Sequence, residues 1–134
     1  MTRYVEAFSW TDTIQRFLES IVTEKPLLHV CSGKSKWGDT TDDLYMPDAD
    51  NNSYWTKLPY ADNSYGAVFA DPPWNAGYKK ECADFIKGAL RIAPVVYLMA
   101  PWGHNSARAK LTRVWYRQLP GVQNDICIKR YERP

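Results

Sequence analysis

The chain has 134 residues, 45% of them hydrophobic and 24% charged, which suits one domain with one core and leaves too little for a catalytic domain plus a large recognition domain. No apolar run approaches the ~18 residues of a membrane span and the amino terminus lacks a secretory pattern, while Cys31, Cys82 and Cys127 are odd in number, widely spaced and without metal spacing. The expectation is a cytoplasmic protein with reduced thiols, no membrane association and no metal site.

Charge is unevenly spread. Up to residue 76 there are six cations against eleven acids (−5), and from residue 77 on there are eleven against four (+7). A basic second half fits binding of a polyanion by one part of the surface.

Ser9-Trp10-Thr11-Asp12 resembles a capping box, with Asp where Glu or Gln is usual. Ile14, Phe17, Leu18, Ile21 and Val22 then recur at helical spacing, which predicts an amphipathic helix ending near Glu24-Lys25, ahead of Pro26. Tyr4, Phe8 and Trp10 are expected to pack rather than bind. Leu27 to Cys31 predicts a first, central strand ending at Ser32-Gly33, with His29 as a hydrogen-bonded core residue. Thr40 to Met46 predicts a short second strand, and Pro47 to Ser53 is turn chemistry.

The stretch Ala67-Val68-Phe69-Ala70-Asp71-Pro72-Pro73-Trp74 organises the rest. An apolar strand runs into two prolines, whose fixed φ and missing N–H force a stiff exit from the sheet. That exit holds the Asp71 carboxylate, backbone carbonyls and an indole face together. These are acceptors for a planar amino group and a surface for its ring. After the Asn75-to-Tyr78 loop, Cys82, Phe85, Ile86, Ala89, Leu90 and Ala93 predict a helix face, with Lys79, Lys80, Asp84, Lys87 and Arg91 opposite. Val95 to Ala100 predicts another strand, leaving through Pro101-Trp102-Gly103-His104. Leu111 to Leu119 and Asp125 to Tyr131, joined through Pro120-Gly121, predict a β-hairpin.

The Asp71-Pro72-Pro73-Trp74 run resembles the Asp-Pro-Pro-Trp motif of S-adenosylmethionine-dependent amino-methyltransferases, where it follows the fourth strand and grips an exocyclic base nitrogen. Upstream, Leu58-Pro59-Tyr60-Ala61-Asp62-Asn63-Ser64-Tyr65 is similar to the approach to that strand in class I methyltransferases. The resemblance covers about residues 27–131. It implies an α/β fold, a Rossmann-like class I methyltransferase sheet abbreviated around strands 2–3 and closed by a C-terminal antiparallel hairpin. The expected organisation is one domain over residues 1–134, with 1–26 as a helical cap and 27–134 as the catalytic sheet.

The same resemblance implies the site. Asp71 and Pro72 would take the amino N–H bonds, Pro73 would stiffen the turn and Trp74 would stack on the base. S-adenosyl-L-methionine would lie against Cys31, Ser32 and Gly33, with Leu58 and Asp71 beside it and Asp43, or its neighbour Asp42, at the ribose. The family's Gly-x-Gly loop is here reduced to Gly33 and Gly38 around a basic insert. Phosphates would meet Lys79, Lys80, Arg113, Arg117, Lys129 and Arg130, with Trp102 also at the nucleic acid. The target implied is adenine N6 of DNA at low sequence specificity, with a homodimer or partner subunit supplying further recognition. RNA methylation, a catalytically silent nucleic-acid-binding subunit and methylation of a protein glutamine amide are the alternatives.

Overall fold

Short apolar runs bounded by glycine and proline suit strands covered on both faces. The computed structural model, which describes residues 11–72, 78–100, 109–120 and 125–134, arranges them so. Strands β1 (Leu27–Val30), β2 (Thr40–Asp42), β3 (Ala67–Ala70) and β4 (Val95–Met99) are parallel. Strands β5 (Lys110–Arg117) and β6 (Ile126–Glu132) form the antiparallel hairpin, and β6 joins it to β4. The order across the sheet is β2-β1-β3-β4-β6-β5.

Side chains alternate along each central strand, so each serves two cores. Leu28, Val30, Val68, Ala70, Val96 and Leu98 meet Cys82, Phe85, Ile86 and Ala89 of helix α2 (Tyr78–Ile92) on one face; α1 (Asp12–Ile21) lies on the other. There Ile14 and Leu18 of α1 pack with Leu27, Ala67, Phe69, Val95 and Tyr97. Each fully buried side chain of this kind stabilises the fold by about 1.5–3 kcal/mol.

Three local expectations change. The cap of α1 is Thr11, not Ser9, because its hydroxyl accepts the Ile14 N–H at 3.4 Å; Ser9 lies outside the described residues. The helix stops at Ile21, short of Glu24, whose carboxylate is drawn instead to the Tyr97 hydroxyl at 2.7 Å and to Arg130 at 3.0 Å. Strand β2 ends at Asp42 rather than running to Met46. Asp43 turns its carboxylate back onto the Tyr45 N–H at 2.9 Å, an Asx-type turn that competes with the ladder.

The outer side of β2 is closed without a further full strand among the described residues. A single bridge joins Asp42 to Asn51, Asp50 accepts the Thr41 N–H at 2.9 Å, and the Tyr65 hydroxyl reaches Thr40 at 2.7 Å. This is the abbreviation that the sequence anticipates around strands 2–3. Gly66 lets the returning chain pass under residue 25: a Cβ there would lie 2.4 Å from the Lys25 carbonyl oxygen. Among the described residues no helix is long and apolar enough to cross a membrane.

Candidate active site at the carboxyl edge

From β1 the sheet grows towards β2 on one side and β3 on the other, so the chain order reverses there. In open α/β sheets such a switch point is where ligands bind, beyond the carboxyl ends of the strands. The register sets Val30 beside both Asp42 and Ala70. Cys31, Asp43 and Asp71 therefore leave the sheet side by side.

The turn after β1 is tight. Cys31 and Gly33 both have φ of 57°, a left-handed conformation free of cost only for glycine and worth about 1–2 kcal/mol at Cys31. Asp43 clamps this turn by accepting the Gly33 N–H at 2.8 Å. Beneath the loop His29 is fully buried, donates from Nδ1 to the Trp37 carbonyl at 3.0 Å, and meets the Trp37 and Phe69 rings edge-on. Burial holds its pKa down to about 4, so it is neutral and structural. Ser32 is also fully buried, yet its hydroxyl has no hydrogen-bond partner among the described residues.

Electrostatically the edge is acidic. Asp71 is 8% exposed, and burial pushes its carboxyl up to about 8. The Cys31 thiol is pushed well above its ordinary range, first by burial and then by Asp43, Asp71, Asp42 and Glu81. Four carboxyl groups thus surround one half-buried turn, a setting that favours an organic cation. Asp42 is enclosed, accepting the Ser53 N–H at 2.7 Å and the Tyr60 hydroxyl at 2.5 Å. Asp43 is 9% exposed and has one N–H on each oxygen, which leaves lone pairs for a further donor. Among the described residues, no set of three His, Cys, Asp or Glu side chains is arranged to hold a metal.

Of the residues singled out in the sequence, Cys31, Ser32, Gly33, Asp43 and Asp71 come together, with Pro72 buried next to Asp71. Pro73, Trp74, Trp102 and the Lys79 side chain lie outside the described residues. Leu58 is buried in the α2 core, in the cluster that holds Trp55, Val30 and Ala70, and its carbonyl accepts Arg91 Nη2 at 3.1 Å. Arg91 also holds the Tyr60 carbonyl and Asp62, each at 2.7 Å, so the Leu58-to-Ser64 landmark is stapled to the end of α2.

Two of the basic positions are spent internally. Lys129 is 5% exposed and donates to the Ala100 carbonyl at 3.0 Å and the Cys127 sulfur at 3.3 Å. Arg130 is held between Glu24 and Glu132 and bonds the Tyr97 hydroxyl at 3.2 Å. Neither is placed to meet a phosphate; Lys80, Arg113 and Arg117 remain exposed. Sequence reading missed Glu81 and Tyr60 as members of the acidic edge. Glu81, one turn into the helix that follows the Pro-Pro exit, carried a positional signal, whereas the pairing of Tyr60 with Asp42 carried none.

No protein-family model and no curated protein matches the sequence. Solved structures do resemble the fold. TrmN from Thermus thermophilus aligns with a TM-score of 0.65 at 16% identity, over 90% of this chain and 48% of that one. The fold is that of the class I methyltransferases. The putative methyltransferase yhhF from Escherichia coli (TM-score 0.51, 17% identity, 91% of this chain and 84% of that one) shares it. So does the putative methylase HI0767 from Haemophilus influenzae, with a TM-score of 0.51 at 12% identity over 91% and 86% of the two chains. The chain spans about half the length of the TrmN structure. In the class I methyltransferase sheet, the switch point between β1 and β3 is the place described above.

Proposed function

We propose that the chain is an S-adenosylmethionine-dependent amino-methyltransferase acting on nucleic acid, with adenine N6 of DNA as its target and low sequence specificity. The observation that carries the reading is Asp71, a buried carboxyl at the switch point, directly ahead of Pro72 and beside the Cys31 turn, on which Asp43, Asp42 and Glu81 also act. The residues present fit the cofactor. The Ser32 hydroxyl, unpartnered among the described residues, and the Cys31-to-Gly33 turn would hold its amino-acid end, Asp43 would take its ribose, and Asp42, Asp43 and Glu81 around the turn suit its positive charge.

When bound, S-adenosylmethionine supplies an electrophilic methyl group on sulfur. The chain supplies alignment. The amino nitrogen of a base is a poor nucleophile because its lone pair is delocalised into the ring. Hydrogen bonds from its two N–H groups to the Asp71 carboxylate and the Pro72 carbonyl draw that nitrogen towards sp³ geometry. Trp74 stacks on the base, which must leave a duplex to be reached. Such positioning contributes several kcal/mol, up to about 7–11 in well-oriented systems. The raised pKa of Asp71 also suits it to take the proton that the methylated nitrogen sheds.

In this reading a homodimer or a partner subunit supplies further target recognition. RNA offers the same amino group and is the second substrate to be tested. A silent binding subunit is the other reading, suggested by the glycine loop reduced to Gly33 and Gly38. Labelled-methyl transfer to DNA, RNA and protein, followed by nucleoside and amino-acid analysis, tests all of these. N6-methyladenine in DNA is the expected product. Cofactor binding by calorimetry without transfer would point to the silent subunit, and neither binding nor transfer would end the methyltransferase reading.

A further inference from the structure

We propose that the edge strand β5 is a platform for an unpaired nucleic-acid strand, so that the substrate is single-stranded or locally opened rather than an intact duplex; this rests on the nucleic-acid reading above. In the sheet order β5 is the last strand, and among the described residues it is bonded only to β6. The register puts Leu111, Val114 and Tyr116 opposite Tyr131, Lys129 and Cys127, on one face. They are 42%, 48% and 60% exposed and belong to neither core. The Tyr116 hydroxyl donates to Asp125 at 2.6 Å, which tethers the ring at its tip and leaves its faces open.

The cations of the strand turn to the other face and are held flat. The Arg113 guanidinium lies 4.6 Å from the centre of the Trp115 ring, and that of Arg117 lies 6.0 Å from Phe17. Stacking in this way orders a guanidinium without using its N–H donors; Arg117 gives one of them, Nη1, to the Tyr116 carbonyl at 3.0 Å and keeps the others for phosphate. The strand sequence Lys110–Arg117 has three cations and no acid. The acids nearest it are taken, Glu132 by Arg130 and Asp125 by Tyr116. A polyanion is therefore favoured over an added protein strand of ordinary composition.

The platform also leads to the candidate active site. Strand β5 runs the same way as β4, so Tyr116 and Arg117 lie at the carboxyl edge. Cys127 stands beside Tyr116 in the register, and its carbonyl accepts the Ala100 N–H at the exit of β4, at 3.0 Å. From β3 to β5 is three strand spacings, about 14 Å. Nucleotides flanking a base held at Asp71 would reach Tyr116. Only unstacked bases offer a face to Tyr116 and Val114, because in a duplex those faces are covered by neighbours.

The test is fluorescence anisotropy of the full chain with a labelled mixed-sequence oligodeoxynucleotide of about 12 nucleotides, alone and annealed to its complement. The unpaired form should bind more tightly. Tyr116→Ala should weaken it by about five- to a hundred-fold, while Tyr116→Phe keeps the ring and most of the affinity. The double variant Arg113→Ala/Arg117→Ala should reduce the slope of log affinity against log salt by about 1.4. Calorimetry with S-adenosylmethionine, run on every variant, separates the two proposals. A parent that binds no cofactor would undo the methyltransferase reading while leaving the oligonucleotide results to stand. Equal or tighter duplex binding, an inert Tyr116→Ala, or a change of molecular mass by light scattering in Tyr116→Ala would overturn the platform, the last by making it a protein interface.

Discussion

Replacing Asp71 by Asn tests the chemistry through its dependence on pH. A carboxyl pushed up to about 8 by burial is only about one-tenth ionised at pH 7. The protonated form offers an O–H where the amino group needs an acceptor, so only the ionised fraction is competent. The rate constant for transfer at limiting substrate, which reports the free enzyme, should rise about ten-fold for each pH unit below 8 and level off above it. Asp71→Asn keeps the shape and loses the charge. Its rate should be low, by about 30- to 1,000-fold for a charged hydrogen bond worth about 2–4 kcal/mol in the transition state, and flat with pH. Stability moves the opposite way. The folded carboxyl holds its proton more tightly than the unfolded one, so its contribution is full below the ordinary value of 3.8 and is lost as pH rises through about 8. That loss is on the order of 5 kcal/mol at most, and the variant escapes it. Asp71→Asn should therefore melt above the parent at alkaline pH, with the two converging in acid. Single-turnover transfer and thermal unfolding, both followed from about pH 5 to pH 9, are the measurements. A parent profile that is flat, or one whose slope persists in Asp71→Asn, would refute the role given to this carboxyl.

Trp74→Ala should weaken capture of an extruded base by about 1–3 kcal/mol, and Trp74→Phe should recover part of that loss; base-analogue fluorescence reads both. Gly66→Ala should destabilise the fold by about 1–3 kcal/mol or more in denaturant, because the added Cβ meets backbone that cannot swing aside, 2.4 Å from the Lys25 carbonyl oxygen. Arg130→Ala should cost about 1–3 kcal/mol of stability by leaving Glu24 without its cation, yet leave oligonucleotide affinity unchanged. An affinity loss in Arg130→Ala as large as that in Arg117→Ala would return Arg130 to the phosphate-binding set.

The central sheet and its carboxyl edge were legible because the determinants are local. Apolar runs stopped by Ser32-Gly33 and by Asp71-Pro72 announce both where a strand lies and where it must end. With two parallel strands in register, the residues just past their ends are neighbours, and Cys31 and Asp71 follow from that alone. The end of β2 was not legible to the same degree. Asp43 could continue the strand or fold back on Tyr45, and the outcome depends on Gly33, ten residues earlier, also needing an acceptor. The setting of Leu58 was hidden for a related reason: the landmark around it is fixed by Arg91, 33 residues further on.

Charge was the least legible property, since its meaning depends on partners distant in sequence. The excess of cations after residue 76 suggested one broad phosphate-binding surface. Yet Arg130 pairs with Glu24, 106 residues away, and Lys129 turns inward to the Ala100 carbonyl, 29 residues away. Alternation on β6 puts the two on opposite sides, where Lys129 is buried and the Arg130 side chain, 22% exposed, is held by Glu24 and Glu132. The edge strand β5 has no neighbour on its outer side, and its cations stay exposed. Among the described residues after 76, Lys110, Arg113 and Arg117 of β5 and Lys80, Lys87 and Arg91 of α2 are exposed, while Asp42, Asp43 and Asp71 gather at the ends of β2 and β3. The proposed cationic cofactor and polyanionic substrate would need opposite fields at the two ends of one sheet edge, and the fold separates acids from cations by strand position, which a net charge of +2 conceals.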